Sequence, residues 1–416
     1  MDKKYDVVIV GAGIGGLTLA LNLHQAGFSC ALFESVPEIK PLGAGVNLLP
    51  HSVKVLDSLG LVPALSQAAI KTKESVFFNK FGQFVYSEPS GIDAGYSWPQ
   101  FSIHRGDLQN ILIDTAHERI GRDAIHLGHR CTGATQNDEG VIVHFEHPDG
   151  TKVDVKGSIV IGCDGIHSII RKQLYPNEGA PRYSGVNMWR GTTPMKPFLS
   201  GASMVRAGWL SVGKMVIYPV RNNIDDQGNQ LINWVAEIEA PYPAKRDWNG
   251  RGRLEDFFPA FSDWHFDWLD VAAMIEQTEQ ILEYPMVDQD PLPRWSFGRI
   301  SLLGDAAHPM VPRGSNGAGQ AILDAPCLTE QLQQHGLTEK ALLEYDRIRV
   351  KATTEVVLMN RVAPPDTILK EVHDRTGGKP FKNLDDYISQ DELALISNKY
   401  KSVAGFKVED LRKEVV

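Results

Sequence analysis

The chain has 416 residues, 43% of them hydrophobic and 22% charged, with a net charge of −9. The length suits about two to three domains, and the acidic balance argues against the broad basic face that a nucleic-acid partner requires. No stretch reaches the roughly 20 apolar residues of a membrane helix. The four cysteines, Cys30, Cys131, Cys163 and Cys327, form no CxxC pair or zinc spacing, so they read as reduced residues of a cytoplasmic protein without a metal site.

Residues 5–10, YDVVIV, predict a buried strand. They lead into Gly11-Ala12-Gly13-Ile14-Gly15-Gly16, a GxGxxG turn with its glycines at 11, 13 and 16. Residues 17–26 predict a helix ended by Gly27, and residues 28–33 a second strand with Glu34 at its end. Gly11 allows a tight turn, Gly13 removes the Cβ that would hold a pyrophosphate away, and Gly16 lets the helix pack close to the strand. The helix start offers free N–H groups and a partial positive charge to phosphates. Glu34 stands where ribose hydroxyls are bound. Strand, turn, helix and acid together predict a dinucleotide site, for NAD or FAD.

Residues 158–162 predict another strand, followed by Cys163-Asp164-Gly165 and a short segment with Ser168 and Arg171 on one side. Two runs, 208–220 and 231–241, are rich in Val, Ile and aromatics, with a polar turn at 222–230. They predict an antiparallel sheet laid over the cofactor. Trp189, Trp209, Met215, Tyr218 and Trp234 lie in or near these strands. Each reads first as packing on the sheet's other face, and second as pocket lining. Residues 301–325, SLLGDAAHPMVPRGSNGAGQAILDA, open as a buried strand and then lose side-chain bulk. Asp305 at the strand tip is placed to accept bonds from a polyol, or more plainly to cap a turn. Gly314, Gly317 and Gly319 let the backbone lie along a flat ring, and a helix from about Gly319 aims its N-terminus at an electron-rich edge. His308 reads as a structural hydrogen-bonder. Tyr345, Ile348, Ala352, Val356 and Met359 predict a long helix over the core, ended by Pro364-Pro365, with a small helical addition after it.

In this order and spacing, the three signatures resemble those of single-component flavoprotein aromatic hydroxylases of the para-hydroxybenzoate hydroxylase type. Gly11–Gly16 with Glu34 is similar to their FAD motif, Cys163-Asp164-Gly165 through Arg171 to their Asp-Gly motif, and Gly304-Asp305 through Pro312 to their Gly-Asp motif. GAGVNLLPHSVKVLDSLGL from Gly43 and IHRGDLQNIL from Ile103 extend the likeness. NRVAPPDTILKEVHDR with the later YKSVAGF resembles the subgroup containing the phenazine hydroxylase of pyocyanin synthesis. The resemblance is weakest at about residues 181–284, where these enzymes choose substrates.

The resemblance implies an α/β chain. A Rossmann-like FAD-binding domain takes residues 1–75, 100–180 and 285–360; an inserted antiparallel-sheet substrate domain takes 76–99 and 181–284; a helical extension takes 361–416. It implies that the cofactor is held by Gly11, Gly13, Ile14, Gly15, Gly16 and Glu34, by Gly43, Gly45 and Val46 beside the ring, and by Gly304, Gly317, Ala318 and Gly319. Arg105 is implied to reach phosphate or ribityl oxygens, Asp305 the ribityl chain, and Asp164 both FAD and a passing nicotinamide nucleotide. Arg313 departs from the family pattern, which implies a small or apolar residue there; it either puts a positive charge near the flavin's edge or points to solvent, and solvent is the expected direction.

One strand–GxGxxG–helix unit leaves NADH or NADPH to bind in passing. The implied activity is hydroxylation of an aromatic or heteroaromatic small molecule, with O2 adding to reduced flavin at C4a and the hydroperoxide transferring oxygen. The flavin performs that chemistry, so no protein nucleophile or metal is called for. An FAD oxidoreductase without oxygen insertion and a non-catalytic flavin sensor are the alternatives. Neither the substrate nor the oligomeric state is legible.

Overall fold

The computed structural model describes residues 4–40, 43–241, 251–362 and 364–411. Strands Lys4–Val10, Cys30–Phe33, Lys152–Gly162 and Ile300–Leu302 form the parallel heart of a seven-stranded sheet. Their Val, Ile and Leu runs are buried, as expected of strands covered on both faces. Register aligns their carboxyl ends: Val10 pairs with Phe33 on one side and Gly162 on the other, and Gly162 pairs with Leu302. Three backbone bonds carry the alignment one residue further, from Gly11 N to Phe33 O (2.8 Å), Cys163 N to Val10 O (2.7 Å) and Leu303 N to Gly162 O (2.9 Å). Glu34 and the segments beginning at Gly11, Cys163 and Leu303 therefore leave the sheet along one edge, where open α/β sheets bind ligands.

Helices Ile14–Gln25, Gly317–His335 and Glu339–Val362 cover this sheet. The second of them starts at Gly317, two residues before the expected Gly319. In the third, Ile348 is exposed, contrary to the apolar series read from the sequence. The buried side instead carries Asp346, Arg349, Thr353 and Asn360 among its apolar residues, because ion pairs and hydrogen bonds satisfy them there.

A second seven-stranded sheet runs in the order Leu282–Asp288, Arg182–Met195, Gln230–Glu239, Gly213–Arg221, Ser203–Trp209, Glu74–Phe78, Phe84–Pro89. The expected continuous run at 208–220 is two strands. A 3₁₀ turn over Leu210–Val212 and Gly213 at φ +96° fold the chain back on itself. Alternation divides this sheet sharply. Trp189, Met215, Ile217, Ile232 and Trp234 pack against Phe257, Phe261 and Trp264 on one face. The neighbouring positions Arg190, Arg206, Lys214, Tyr218 and Glu237 point the other way, into a cleft beside the first sheet. Helices Thr367–Thr376 and Gln390–Val403 pack through Ile368, Leu369, Val372 and Leu393 on Phe77 and Val85 of the second sheet. A Ser389/Glu392 capping box starts the last of them.

Candidate active site

The glycine turn is shaped by contacts that allow no side chain. A Cβ on Gly16 would stand 2.1 Å from Gly11 O, and one on Gly11, at φ +103°, would stand 2.5 Å from Cys163 O. A Cβ on Gly13 would meet nothing within 4 Å. The first two glycines close the fold; the third opens its backbone outward, ahead of helix Ile14–Gln25. Glu34 Oε2 accepts from Ala12 N at 2.9 Å, so it holds the turn while standing at its edge.

A solvent-open trough of about 1570 Å³ runs along this edge. Its walls include Gly13, Ile14 and Gly15 from the first turn, Gly43 to Val46 with Arg105, Cys163 and Gly165 from the second strand end, and Gly304, Asp305, Gly317 and Ala318 from the third. Arg105 and Asp305 are both exposed and neither makes an ion pair or side-chain hydrogen bond among the described residues. Asp107, two residues from Arg105, is held by Arg221 at 2.6 Å through both oxygens.

Gly11, Gly16, Glu34, Asp164 and Gly319 do not line the trough. Asp164 accepts from Ser168 Oγ at 2.5 Å and from Ile169 N at 2.7 Å, so its carboxylate shapes the turn before helix Ile169–Leu174. Burial pushes its pKa up, against those hydrogen bonds. Gly319 faces inward, where a Cβ would stand 2.7 Å from Asn316 Oδ1. Arg313 does not simply point to solvent. It lines an inner cleft and a neighbouring outer groove, and its Nε is buried without a partner among the described residues.

Two polar networks brace the edge. Buried Arg171 is paired with Glu178 and donates to Ala306 O (3.1 Å) and Ala307 O (2.8 Å), tying the Asp-Gly segment to the Gly-Asp segment. Asp324, fully buried in helix Gly317–His335, accepts from Gly304 N (3.0 Å), Arg349 Nε (2.7 Å) and His308 Nε2 (2.7 Å). Burial alone would raise the Asp324 pKa, but His308 and Arg349 hold it below the usual carboxylate range. His308 is thus a structural hydrogen-bonder. Nothing in the sequence marked Asp324 or Arg349 beyond their polarity in otherwise apolar helix faces.

The inner cleft, about 910 Å³, lies against the polar face of the second sheet. It shares Gly45, Val46, Arg190, Asp305, Gly317 and Ala318 with the trough. Asn233 Oδ1 accepts from Gly45 N at 2.6 Å and Arg190 donates to Gly45 O at 2.9 Å, which fixes the loop between the two spaces. Of the aromatics singled out earlier, Tyr218 faces the cleft, whereas Trp189 and Trp234 pack the far side with Met215. Lys214 bonds both Glu237 oxygens at 3.0 Å, and Asp366 stands 2.5 Å from Lys214 and 3.1 Å from Arg206. A lysine and a glutamate alternating with apolar residues in two buried strands were the sequence signal for this lining.

The family model described as FAD binding domain matches residues 4–359. The chain belongs to this FAD-binding family. The trough fits an FAD in chemistry as well as extent: the open Gly13 backbone suits phosphates, and Arg105 and Asp305 offer a free cation and a free acceptor. The FAD-binding chain is 41% identical over 362 residues to a phenazine 1,6-dicarboxylic acid hydroxylase of Lysobacter antibioticus, covering 86% of this chain and 89% of the relative. It is 32% identical to a 6-hydroxynicotinate 3-monooxygenase of Bordetella bronchiseptica, over 82% and 86% of the two chains. Its fold matches that of Klebsiella pneumoniae HpxO complexed with FAD and uric acid at a TM-score of 0.74, with 23% identity and coverage of 99% and 97%.

Proposed function

We propose that this chain is an FAD-dependent monooxygenase that hydroxylates a small aromatic or heteroaromatic molecule with NADH or NADPH and O2. The observation that carries it is the shared wall: a trough suited to FAD opens through Gly45, Val46, Asp305, Gly317 and Ala318 onto a separate cleft lined by polar side chains. The likeness to a phenazine 1,6-dicarboxylic acid hydroxylase favours a fused heteroaromatic substrate. Bound FAD supplies the redox and oxygen chemistry. The chain's own residues bind, orient and shield. Gly13, Ile14 and Gly15 at the start of the first helix present backbone N–H groups to phosphates, and Arg105 adds a positive charge. Asp305 accepts from ribityl hydroxyls. Gly45, pinned by Asn233 and Arg190, holds one side of the ring site with Val46 next to it. The walls of the inner cleft position the ring to be hydroxylated and limit water beside it.

The test is direct. Purified protein should release FAD, not FMN, on heating. It should oxidise NADH or NADPH faster with phenazine-1,6-dicarboxylate or another panel member, and form a product one oxygen atom heavier. Protein that binds no flavin from excess FAD, or that gives no heavier product across aromatic acids, phenazines, quinolines and phenols, overturns the reading.

A further inference from the structure

The loop at residues 311–316 borders two spaces. Pro312, Arg313, Ser315 and Asn316 line the inner cleft, and Pro312 also lines the trough. Gly314 and Ser315 line a further cavity of about 590 Å³, together with Tyr400, Lys401 and Phe406 of the helical extension. Gly317 and Ala318, the next residues along, belong to the wall that the trough and the inner cleft share. The position of this loop therefore sets the position of that wall.

The loop does not rest in an ordinary conformation. Ser315 takes φ 52° and ψ 31°, in the left-handed region that a residue with a Cβ visits rarely. Such a backbone persists where its surroundings hold it. With open volume against Gly314 and Ser315, packing alone does not hold it, so directional ties must. Two are present. Val311 O accepts from Asn360 Nδ2 at 3.2 Å, and Asn360 Oδ1 accepts from the Tyr400 hydroxyl at 2.8 Å. That hydroxyl also lies against Gly314, where a Cβ would overlap it and stand 2.7 Å from Asn360 Oδ1. At the other end of the loop, Asn316 Oδ1 lies 3.0 Å from His51 Nε2. The His51 ring stacks on Phe406, at 5.4 Å between centroids and 16° between planes.

Tyr400 and Phe406 come from one short run, and that run has anchors of its own. Phe406 O accepts from the Tyr96 hydroxyl at 2.6 Å. Lys401 Nζ and Ser397 Oγ donate to Glu88 Oε2 of the second sheet at 2.9 and 2.7 Å. Tyr400 and Phe406 are buried in a small cluster with Leu49, Tyr96 and Leu411, apart from the main core. The extension is thus fixed elsewhere and reaches the loop at both ends.

We infer that the helical extension braces the wall between the cofactor trough and the substrate cleft, with Tyr400 as the positioning residue at Val311 and Gly314 and Phe406, through His51, at Asn316. Tyr400, Phe406, Asn360 and His51 line neither the trough nor the inner cleft, so they act through the loop. This deepens the hydroxylase reading, on which its chemical consequence rests. Coupled turnover of NAD(P)H, a proton and O2 puts one oxygen atom into the product and the other into water. Uncoupled turnover sends both oxygen atoms, with the same two electrons, into hydrogen peroxide. A wall that moves admits water beside the ring and favours the second course.

The test compares the FAD-loaded wild type with Tyr400→Phe, which keeps the ring and removes the hydroxyl. Hydrogen exchange read by mass spectrometry follows the loop. The product-to-peroxide ratio during NADH or NADPH oxidation follows the chemistry, with phenazine-1,6-dicarboxylate or the panel compound that the wild type converts best. In Tyr400→Phe the amides of residues 313–317 should exchange about fivefold faster, as for the loss of one hydrogen bond. The product-to-peroxide ratio should fall by up to that factor. Exchange in strand Lys4–Val10 should not change, and the thermal midpoint should move by no more than about 2 °C. Asn360→Ala should reproduce the faster loop and the lower ratio. The double variant should be no worse than Asn360→Ala, because the hydroxyl acts through that amide. If Asn360→Ala fails to fold, Tyr400→Phe still decides. Loop exchange equal to the wild type, exchange that rises evenly along the chain, or a faster loop with an unchanged ratio each overturns the inference. A wild type that gives no heavier product from any panel compound sinks the hydroxylase reading instead, and loop exchange alone then decides the brace.

Discussion

Gly13 and Gly16 sit three residues apart in one turn, and the structure gives them opposite reasons for lacking a side chain. A Cβ at Gly16 would lie 2.1 Å from Gly11 O, so the strand end and helix must separate by about 1 Å to reach even a very tight contact. Overpacking of that kind costs about 1–3 kcal/mol or more. Unfolding entropy near 2.1 cal/mol/K per residue amounts to about 0.9 kcal/mol/K for the whole chain. Gly16→Ala should therefore lower the thermal midpoint of the FAD-free protein by about 1–3 °C or more. Gly13 has open space where its Cβ would be, and φ −76° with ψ −176°, which alanine adopts freely. Gly13→Ala should leave the FAD-free midpoint nearly unchanged and weaken FAD binding, because the new methyl occupies the approach to the backbone. At a concentration of 100 Kd, FAD stabilises the wild type by about 2.7 kcal/mol, close to a 3 °C shift on the same scale. The Gly13 variant should lose most of that shift. Scanning calorimetry with and without FAD reads both variants. Equal losses of FAD-free stability, or a full FAD shift in Gly13→Ala, would refute the assignment of one glycine to packing and the other to ligand.

Asp305→Ala should raise the FAD dissociation constant by about one to two powers of ten, from a charge-assisted bond of roughly 1.5–3 kcal/mol; a change below about threefold with the fold intact would reduce Asp305 to a turn residue. Asp324→Asn leaves Arg349 and His308 without their buried counter-charge and should cost about 3–5 kcal/mol in urea unfolding; a loss under about 1 kcal/mol would mean the network is dispensable. His51 is held near pKa 4 when folded, against 6.5 unfolded, so below the upper value the unfolded chain takes the proton first. The wild type should accordingly lose about 3 kcal/mol relative to His51→Gln as pH falls from 6.5 to 4. Parallel stability curves for the two proteins would show that the ring is not buried in its neutral form.

The elements that were legible in the sequence are those whose cause is local. The turn at Gly11 to Gly16, Gly27 after the first helix, and the strand at residues 4–10 each depend on positive φ, missing side chains or an apolar run within a few residues. Such causes are written in consecutive positions, so they survive without knowledge of the fold. The same holds for the loss of bulk from Gly304 to Gly319. It marked a stretch that supplies Gly304, Asp305, Gly317 and Ala318 to the trough wall, although it did not show that Gly319 itself turns inward toward Asn316.

The misreadings also have a common cause. The helix series from Tyr345 relied on apolar spacing, yet Arg349 and Asn360 are buried because Asp324 and Val311 O, far away in sequence, satisfy them. Arg313 was expected to face solvent; it instead shares a cleft with Arg190, Tyr218 and Glu237 of the second sheet, which its sequence neighbours do not reveal. The geometry of the glycine turn was thus set by the sequence itself, through sterics and backbone angles that act over six residues. Which side chains share the cleft was decided only by sheet register and helix packing. Those place Asn233 beside Gly45, Arg171 beside Ala307, and His51 beside Asn316, pairs separated by 188, 136 and 265 positions. A hydrogen bond acts over about 3 Å, and distance along the chain says nothing about that separation until the chain is folded.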